Sequence, residues 1–178
     1  MDYYAVVNSR CSIRKYRSDQ IEQEKVIRVL DAARRAPSWK NQQCWRFLVV
    51  ADAAKRQALS ETLRQGNPAT KAFLQAPLVV ALCAKPDDSG NVNGREYYML
   101  DAGLALENLT LAATNEGLAT CIVGAFNEDL VRTALGVPPD FRVVALTPLG
   151  YPEEQPNPRP RKSLEEIAFW EQWGQPIA

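Results

Sequence analysis

Residues 94–116 read GREYYMLDAGLALENLTLAATNE, and this stretch decides the fold. Apolar side chains fall at helical spacing on more than one of its faces. Met99, Ala102, Leu106, Leu109 and Ala113 form one stripe; Leu100, Leu104, Ala105, Leu111 and Ala112 cover much of the rest. A helix that is apolar all round has to be buried on all sides. The spacing therefore predicts a helix over 94–116 that is either central or packed by one face on a second subunit. The chain has too few other elements to sheathe it, which favours the second arrangement. Gly117 ends it, being free to adopt positive φ.

Working outward, the pattern alternates between helix and strand. Upstream, 21–36 carries Val26, Ile27, Leu30 and Ala33 at helical spacing and stops at Pro37. Residues 46–51 (RFLVVA) read as a strand, 52–65 as a polar helix, 66–68 as a break and 69–75 as a short helix. The run 78–84 (LVVALCA) is continuously apolar, as in a strand buried on both faces. Downstream come a strand at 119–123, a Gly124-Ala125 turn, a helix at 128–135 and a strand at 142–149. The segment 151–162 (YPEEQPNPRPRK) has four prolines and reads as an extended arm. Ser163 to Glu166 form a capping box opening a terminal helix that carries Trp170 and Trp173. Such an arm suits a clasp on a partner subunit, or a tail folded back on its own domain. Alternation of this kind, taken alone, suggests a parallel sheet.

The 178 residues suit a single domain, with 151–178 as its C-terminal arm and helix. Lysine plus arginine total 21 and aspartate plus glutamate 21, so no overall positive field favours nucleic acid or anionic lipid. No apolar run approaches the ~18–20 residues that cross a bilayer. The start, MDYYAVVNSRCSIRKY, places its apolar patch before its charges, the reverse of a secretory signal, so the cytoplasm is the expected compartment. There is no histidine, which rules out Ser-His-Asp and Cys-His triads and any His-ligated metal. Cys11, Cys44, Cys83 and Cys121 form no C-x-x-C pair and read as small buried residues or loop thiols; no metal site is expected.

Three clusters could carry chemistry. In Arg10-Cys-Ser-Ile-Arg-Lys15, alternation sends Arg10, Ser12 and Arg14 to one side of an extended segment, a donor set suited to phosphate. Residues 36–45 (APSWKNQQCW) put amides, a hydroxyl and a lysine beside two tryptophans, which suits a planar heterocycle with a polar edge. The Gly124-Ala125 turn allows close backbone approach, and 159–162 (RPRK) could close a phosphate site. Alone, each also reads as an ordinary strand, connection or solvated charge run. A flat, phosphorylated, amide-edged ligand explains all three, and FMN is such a molecule.

Taken in order, Arg10-Cys-Ser-Ile-Arg-Lys-Tyr16, APSWKNQQCW at 36–45, DAGLALENLTLAATNEG at 101–117, IVGAF at 122–126, and Gly150-Tyr-Pro152 leading to RPRK cover nearly the whole chain. This ordered set resembles the FMN-dependent nitroreductase family. The resemblance implies an α+β fold, with a mixed, mostly antiparallel sheet flanked by helices, in an intertwined homodimer. It also implies FMN at the subunit interface, touched by both chains.

On the same resemblance, Arg10 and Ser12 bind the FMN phosphate with Arg161 and Arg159, and Arg14 lies near the pyrimidine edge of the flavin. Pro37, Ser38 and Asn41 come from the other subunit, and Gly124 and Ala125 direct backbone N–H groups toward flavin N5. Cys11, Trp39, Gln43 and Val123 complete the candidate cofactor-binding set. Two residues depart from the family pattern: Cys44 stands where many relatives have proline, and Trp39 replaces a smaller residue, covering or narrowing the substrate face. No G-x-G-x-x-G fingerprint occurs, so NAD(P)H would dock transiently over the flavin. The implied reaction is ping-pong hydride transfer from NAD(P)H through FMN to a small acceptor such as a nitroaromatic or quinone, with no catalytic side chain. The same scaffold also hosts reductive dehalogenation, enone reduction and flavin breakdown. A non-catalytic flavin-binding protein and a flavin-free phosphate-binding module are the remaining alternatives.

Overall fold

A computed structural model describes residues 1–156 and 159–177. The chain orders as α1 (Tyr3–Ser9), α2 (Gln23–Arg34), β1 (Trp45–Val50), α3 (Ala53–Glu61), α4 (Thr70–Gln75), β2 (Leu78–Ala84), β3 (Asn91–Val92), β4 (Arg95–Glu96), α5 (Tyr98–Asn115), β5 (Ala119–Thr120), α6 (Glu128–Leu135), β6 (Arg142–Gly150) and α7 (Leu164–Ile167). The main sheet has the order β1-β2-β6-β5, and every neighbouring pair in it is antiparallel. The parallel sheet suggested by alternation is therefore incorrect, and the register shows why. Val50 pairs with Val79, so β2 starts at the end of the sheet where β1 stops. α3 and α4 turn the chain round instead of carrying it back along the sheet. One parallel bridge, Ser12 to Thr120, lays the N-terminal segment beside β5 and makes the sheet mixed.

Strand alternation distributes β2 between two layers of helix. Val79, Ala81 and Cys83 pack with Leu59, Phe73 and Val131, from α3, α4 and α6. Val80 packs with Val29, Ala33, Leu109 and Ala113, while Leu82 and Ala84 pack with Ala102, Ala105 and Leu106, from α2 and α5. Burial on both faces accounts for the unbroken apolar run. Each large side chain fully buried here, Phe73 among them, contributes about 1.5–3 kcal/mol.

α5 buries Ala102, Ala105, Leu106, Leu109 and Ala113, but Met99, Leu100 and Leu104 remain exposed. Burial on all sides is thus not met within one chain, and the uncovered side lies in the first turns of the helix. Met99, placed by spacing in the buried stripe, is half exposed at 50%. The helix also begins at Tyr98, later than expected, because Asn93 and Gly94, at φ 54° and 78°, turn the β3–β4 hairpin just before it. The strand expected over 119–123 shortens to Ala119–Thr120, with Val123 bridging to Leu146 further on. α1, unexpected from the sequence, is capped by Asp2, whose carboxylate accepts the Ala5 N–H at 3.0 Å.

The arm leaves β6 beside the N-terminal segment. Arg17 N–H donates to the Tyr151 carbonyl and Glu153 N–H to the Lys15 carbonyl, both at 3.0 Å, with Tyr16 bridging to Pro152. Asn157 and Pro158, part of the expected extended arm, lie outside the described residues. α7 carries the expected capping box of Ser163 and Glu166 but stops at Ile167, so Trp170 and Trp173, expected on this helix, lie beyond it. The terminal segment folds on itself, with Trp170 N–H on the Gln175 carbonyl at 2.7 Å, and leaves Leu164, Ile167, Trp170 and Trp173 exposed. Among the described residues, no helix is long and apolar enough to cross a membrane, and no cluster of side chains could hold a metal ion.

Candidate functional site

The C-terminal end of α1, the extended segment after it and the arm enclose a cleft of about 590 Å³. Val7, Asn8 and Ser9 line one side, Arg10, Cys11, Ser12 and Arg14 continue from it, and Glu154, Pro156, Arg159 and Arg161 come from the arm. Six residues of the sequence-derived set therefore meet here: Arg10, Cys11, Ser12, Arg14, Arg159 and Arg161. The alternation that groups Arg10, Ser12 and Arg14 is held by the bridge to β5, where Ile13 N–H donates to the Thr120 carbonyl at 3.0 Å.

These cations have few partners within the chain. Arg10 Nε is 3.9 Å from the Glu107 carboxylate, too far for a good hydrogen bond. Arg161 Nη1 donates to the Arg159 carbonyl at 3.2 Å. Arg14 Nη1 reaches the Ser12 carbonyl at 3.4 Å, and its Nε is buried with no partner among the described residues. A buried donor without an acceptor costs about 1–3 kcal/mol, so Arg14 is set up to receive an acceptor from outside the chain. Four guanidinium groups and a serine hydroxyl lining one cleft fit a phosphate ester.

Tyr16 supports the segment from below. It is buried, and its hydroxyl donates to the Ile13 carbonyl at 2.8 Å, closing the turn that presents Arg14. Burial pushes its ionisation well above the ordinary range. Burial likewise raises the Cys121 thiol. Glu154 was not singled out from the sequence, although it stands between the prolines of the arm. Its carboxylate accepts Arg14 N–H at 3.1 Å and lies 3.8 Å from Lys15 Nζ.

The other sequence-derived residues do not line this cleft. Pro37, Ser38, Trp39, Asn41 and Gln43 form a separate loop between α2 and β1, and Val123, Gly124 and Ala125 follow β5. Gly124 and Ala125 are exposed, and a Cβ on Gly124 would meet nothing within 4 Å. The loop is strained: Lys40, Asn41 and Gln43 have φ of 46°, 57° and 52°. Left-handed backbone costs about 1–2 kcal/mol per residue, less for asparagine. Gln43 N–H donates to Ser38 Oγ at 2.9 Å, and its side-chain amide reaches Asn41 at 3.3 Å.

Trp39 packs its ring 4.7 Å from that of Tyr97 and presses on Gly90, where a Cβ would fall 2.4 Å from the indole. Its N–H donates to Asp101 Oδ1 at 3.0 Å. Ser89 Oγ and Cys44 Sγ donate to Oδ2 of the same carboxylate, at 2.7 and 3.7 Å. Burial, followed by the nearby Asp101 carboxylate, pushes the Cys44 thiol up to about 12, so it stays protonated and remains a donor. A proline at this position could not donate in this way.

The model of the nitroreductase family matches residues 7–151. A NADH dehydrogenase of Thermus thermophilus is 28% identical over 201 aligned positions, covering 96% of this chain and 96% of its own. The crystal structure of a nitroreductase family protein from Clostridium novyi superimposes with a TM-score of 0.84 at 36% identity, covering 99% of this chain and 97% of that one. An FMN-dependent nitroreductase from Clostridium difficile has a TM-score of 0.83 at 26% identity, covering 96% and 99%.

Proposed function

The chain belongs to the nitroreductase family of NAD(P)H oxidoreductases, and from that premise we propose that it is an FMN-dependent enzyme that passes a hydride from NAD(P)H to a small acceptor, such as a nitroaromatic or quinone, by a ping-pong mechanism. The observation that carries this reading is the cleft where Arg10, Ser12, Arg14, Arg159 and Arg161 converge with an orphaned Arg14 Nε.

When bound, FMN supplies the two-electron chemistry, and the protein supplies binding, orientation and electrostatics. Arg10, Ser12, Arg159 and Arg161 would hold the phosphate, with Cys11 beside them. Arg14 would place a positive charge toward the pyrimidine edge and favour negative charge there. Pro37, Ser38 and Asn41 would approach from a second subunit, Gly124 and Ala125 would offer backbone N–H groups, and Trp39, Gln43 and Val123 would complete the cofactor's surroundings. No side-chain acid or base is assigned, in keeping with the absence of histidine.

The subunit arrangement is a homodimer of single-domain chains, 1–178, in which the 151–178 arm starts on its own chain, beside the cleft, and lays its terminal helix on the partner. The exposed Met99, Leu100 and Leu104 on α5, and Leu164, Ile167, Trp170 and Trp173 on the arm, support it, since exposed apolar surface of this extent marks an interface. The cytoplasm is the compartment we assign.

Steady-state turnover tests the proposal, with NADH or NADPH as donor and a nitroarene, a quinone, a halophenol, an enone and oxygen as acceptors. Parallel double-reciprocal lines with the nitroarene or quinone support it. Preference for the halophenol or enone assigns a different chemistry to the same scaffold, and FMN binding without reduction assigns a carrier.

A further inference from the structure

Asp101 is a buried carboxylate, 3% exposed, that the proposed reaction does not use. Three neutral groups donate to it: Trp39 N–H, Ser89 O–H and the Cys44 thiol. It stands in the first turn of α5, where the helix dipole favours an anion. A buried carboxylate is costly unless hydrogen-bonded, so its burial depends on these three donors staying in place. Here it joins three separate pieces of chain: the strained loop after α2, the turn before the β3–β4 hairpin, and α5. The Trp39 ring is fixed at its other end by Tyr97 and by Gly90, which leaves no room for a side chain.

We propose that Asp101 is a positioning residue for acceptor selectivity. By holding the Trp39 amide, it fixes the loop containing Lys40, Asn41 and Gln43 and sets the indole as a rigid aromatic wall that accepts or refuses a planar acceptor. This rests on the proposed flavin site, whose phosphate is held elsewhere, by Arg10, Ser12 and the arm. With that anchor intact, loosening the loop costs less FMN affinity than it shifts the choice of acceptor.

The test compares full-length, FMN-loaded wild type with Asp101→Asn and Ser89→Ala. In Asp101→Asn, the ratio of kcat/KM for a bulky nitroarene to that for a small quinone shifts by about fivefold or more, mainly through KM. FMN affinity falls by a smaller factor than the acceptor ratio shifts, and hydrogen exchange of the 38–44 amides accelerates about tenfold or more, with FMN or without it. Ser89→Ala gives a smaller shift in the same direction, and carries the test alone if the asparagine variant does not fold. An unchanged acceptor ratio with unchanged loop exchange overturns the role of Asp101. So does a parallel loss of FMN affinity, both activities and melting temperature, which marks a general scaffold residue. Wild-type protein that fails to bind FMN overturns the flavin reading and this inference together, whereas an FMN-loaded variant with the wild-type ratio removes this inference alone.

Discussion

The carboxylate of Glu154 accepts the amide N–H of Arg14 at 3.1 Å, joining residues 140 apart in sequence. With the Lys15 ammonium 3.8 Å away, this contact ties the arm to the segment that carries the cationic cleft. It also places an acidic lining residue of the cleft among Arg10, Arg14, Arg159 and Arg161. Glu154→Gln keeps an acceptor for the Arg14 amide but removes the charge. FMN affinity then rises by about two- to fivefold at low ionic strength, a surface-charge effect of about 0.4–1 kcal/mol, and the gain shrinks in high salt. Glu154→Ala also loses the amide contact and binds more weakly than the glutamine variant. Fluorescence titration of FMN measures both.

Arg10→Ala and Arg161→Ala each weaken FMN binding by about 1–3 kcal/mol, the range for losing one charge-assisted hydrogen bond. The loss falls with ionic strength. Isothermal titration at two salt concentrations checks this, and an affinity equal to wild type removes the substituted residue from the site.

How legible the chain is depends on how local each signal is. The buried strand β2 and the helix α5 show in the sequence because both follow runs of apolar residues with a definite period. Strand direction does not, because it depends on where α3 and α4 deliver the chain, a matter of packing and not of period. α1 is hidden because Tyr3, Tyr4, Val6 and Val7 read as an apolar patch, although Asp2 stands at its N-cap. The Asn93-Gly94 turn is a strong hairpin signal that is masked when Gly94 is read as the start of the long helix.

The site divides in the same way. Arg10, Ser12 and Arg14 are grouped by alternation within five residues, but Arg159 and Arg161 join them only through the arm, and family resemblance supplied that link. Asp101 gives no warning, because a carboxylate in an apolar helix is expected to face solvent, as Glu107 does. Its burial appears only once Trp39, Cys44 and Ser89 are seen to converge on it.

The exposed start of α5 predicts association. Leu100 is 54% exposed within one chain, so Leu100→Glu leaves the fold of a single chain intact while setting a charge in the proposed interface. Wild-type protein sediments at twice the mass of a single chain, and the variant shifts toward the monomer. Wild type sedimenting as a monomer with flavin bound contradicts the proposed assembly.

Buried thiols set the alkaline limit of stability. Burial raises Cys44 from about 9 to about 12 and Cys83 to about 11, and Tyr16 shifts in the same direction. Between those values the folded chain keeps protons that the unfolded chain releases, so stability is full below about pH 9 and falls as pH rises toward 11–12. Urea unfolding at increasing pH shows this decline, and Cys83→Ala makes it shallower. Stability that is independent of pH up to about 10.5 contradicts the assignment.

The most direct measurement is the visible absorption spectrum of purified protein reconstituted with FMN, recorded anaerobically before and after addition of NADH or NADPH. The account predicts a yellow protein that retains its flavin through desalting and is bleached by at least one of the two nucleotides. A colourless protein that cannot be loaded with FMN, or a bound flavin that neither nucleotide reduces, contradicts it.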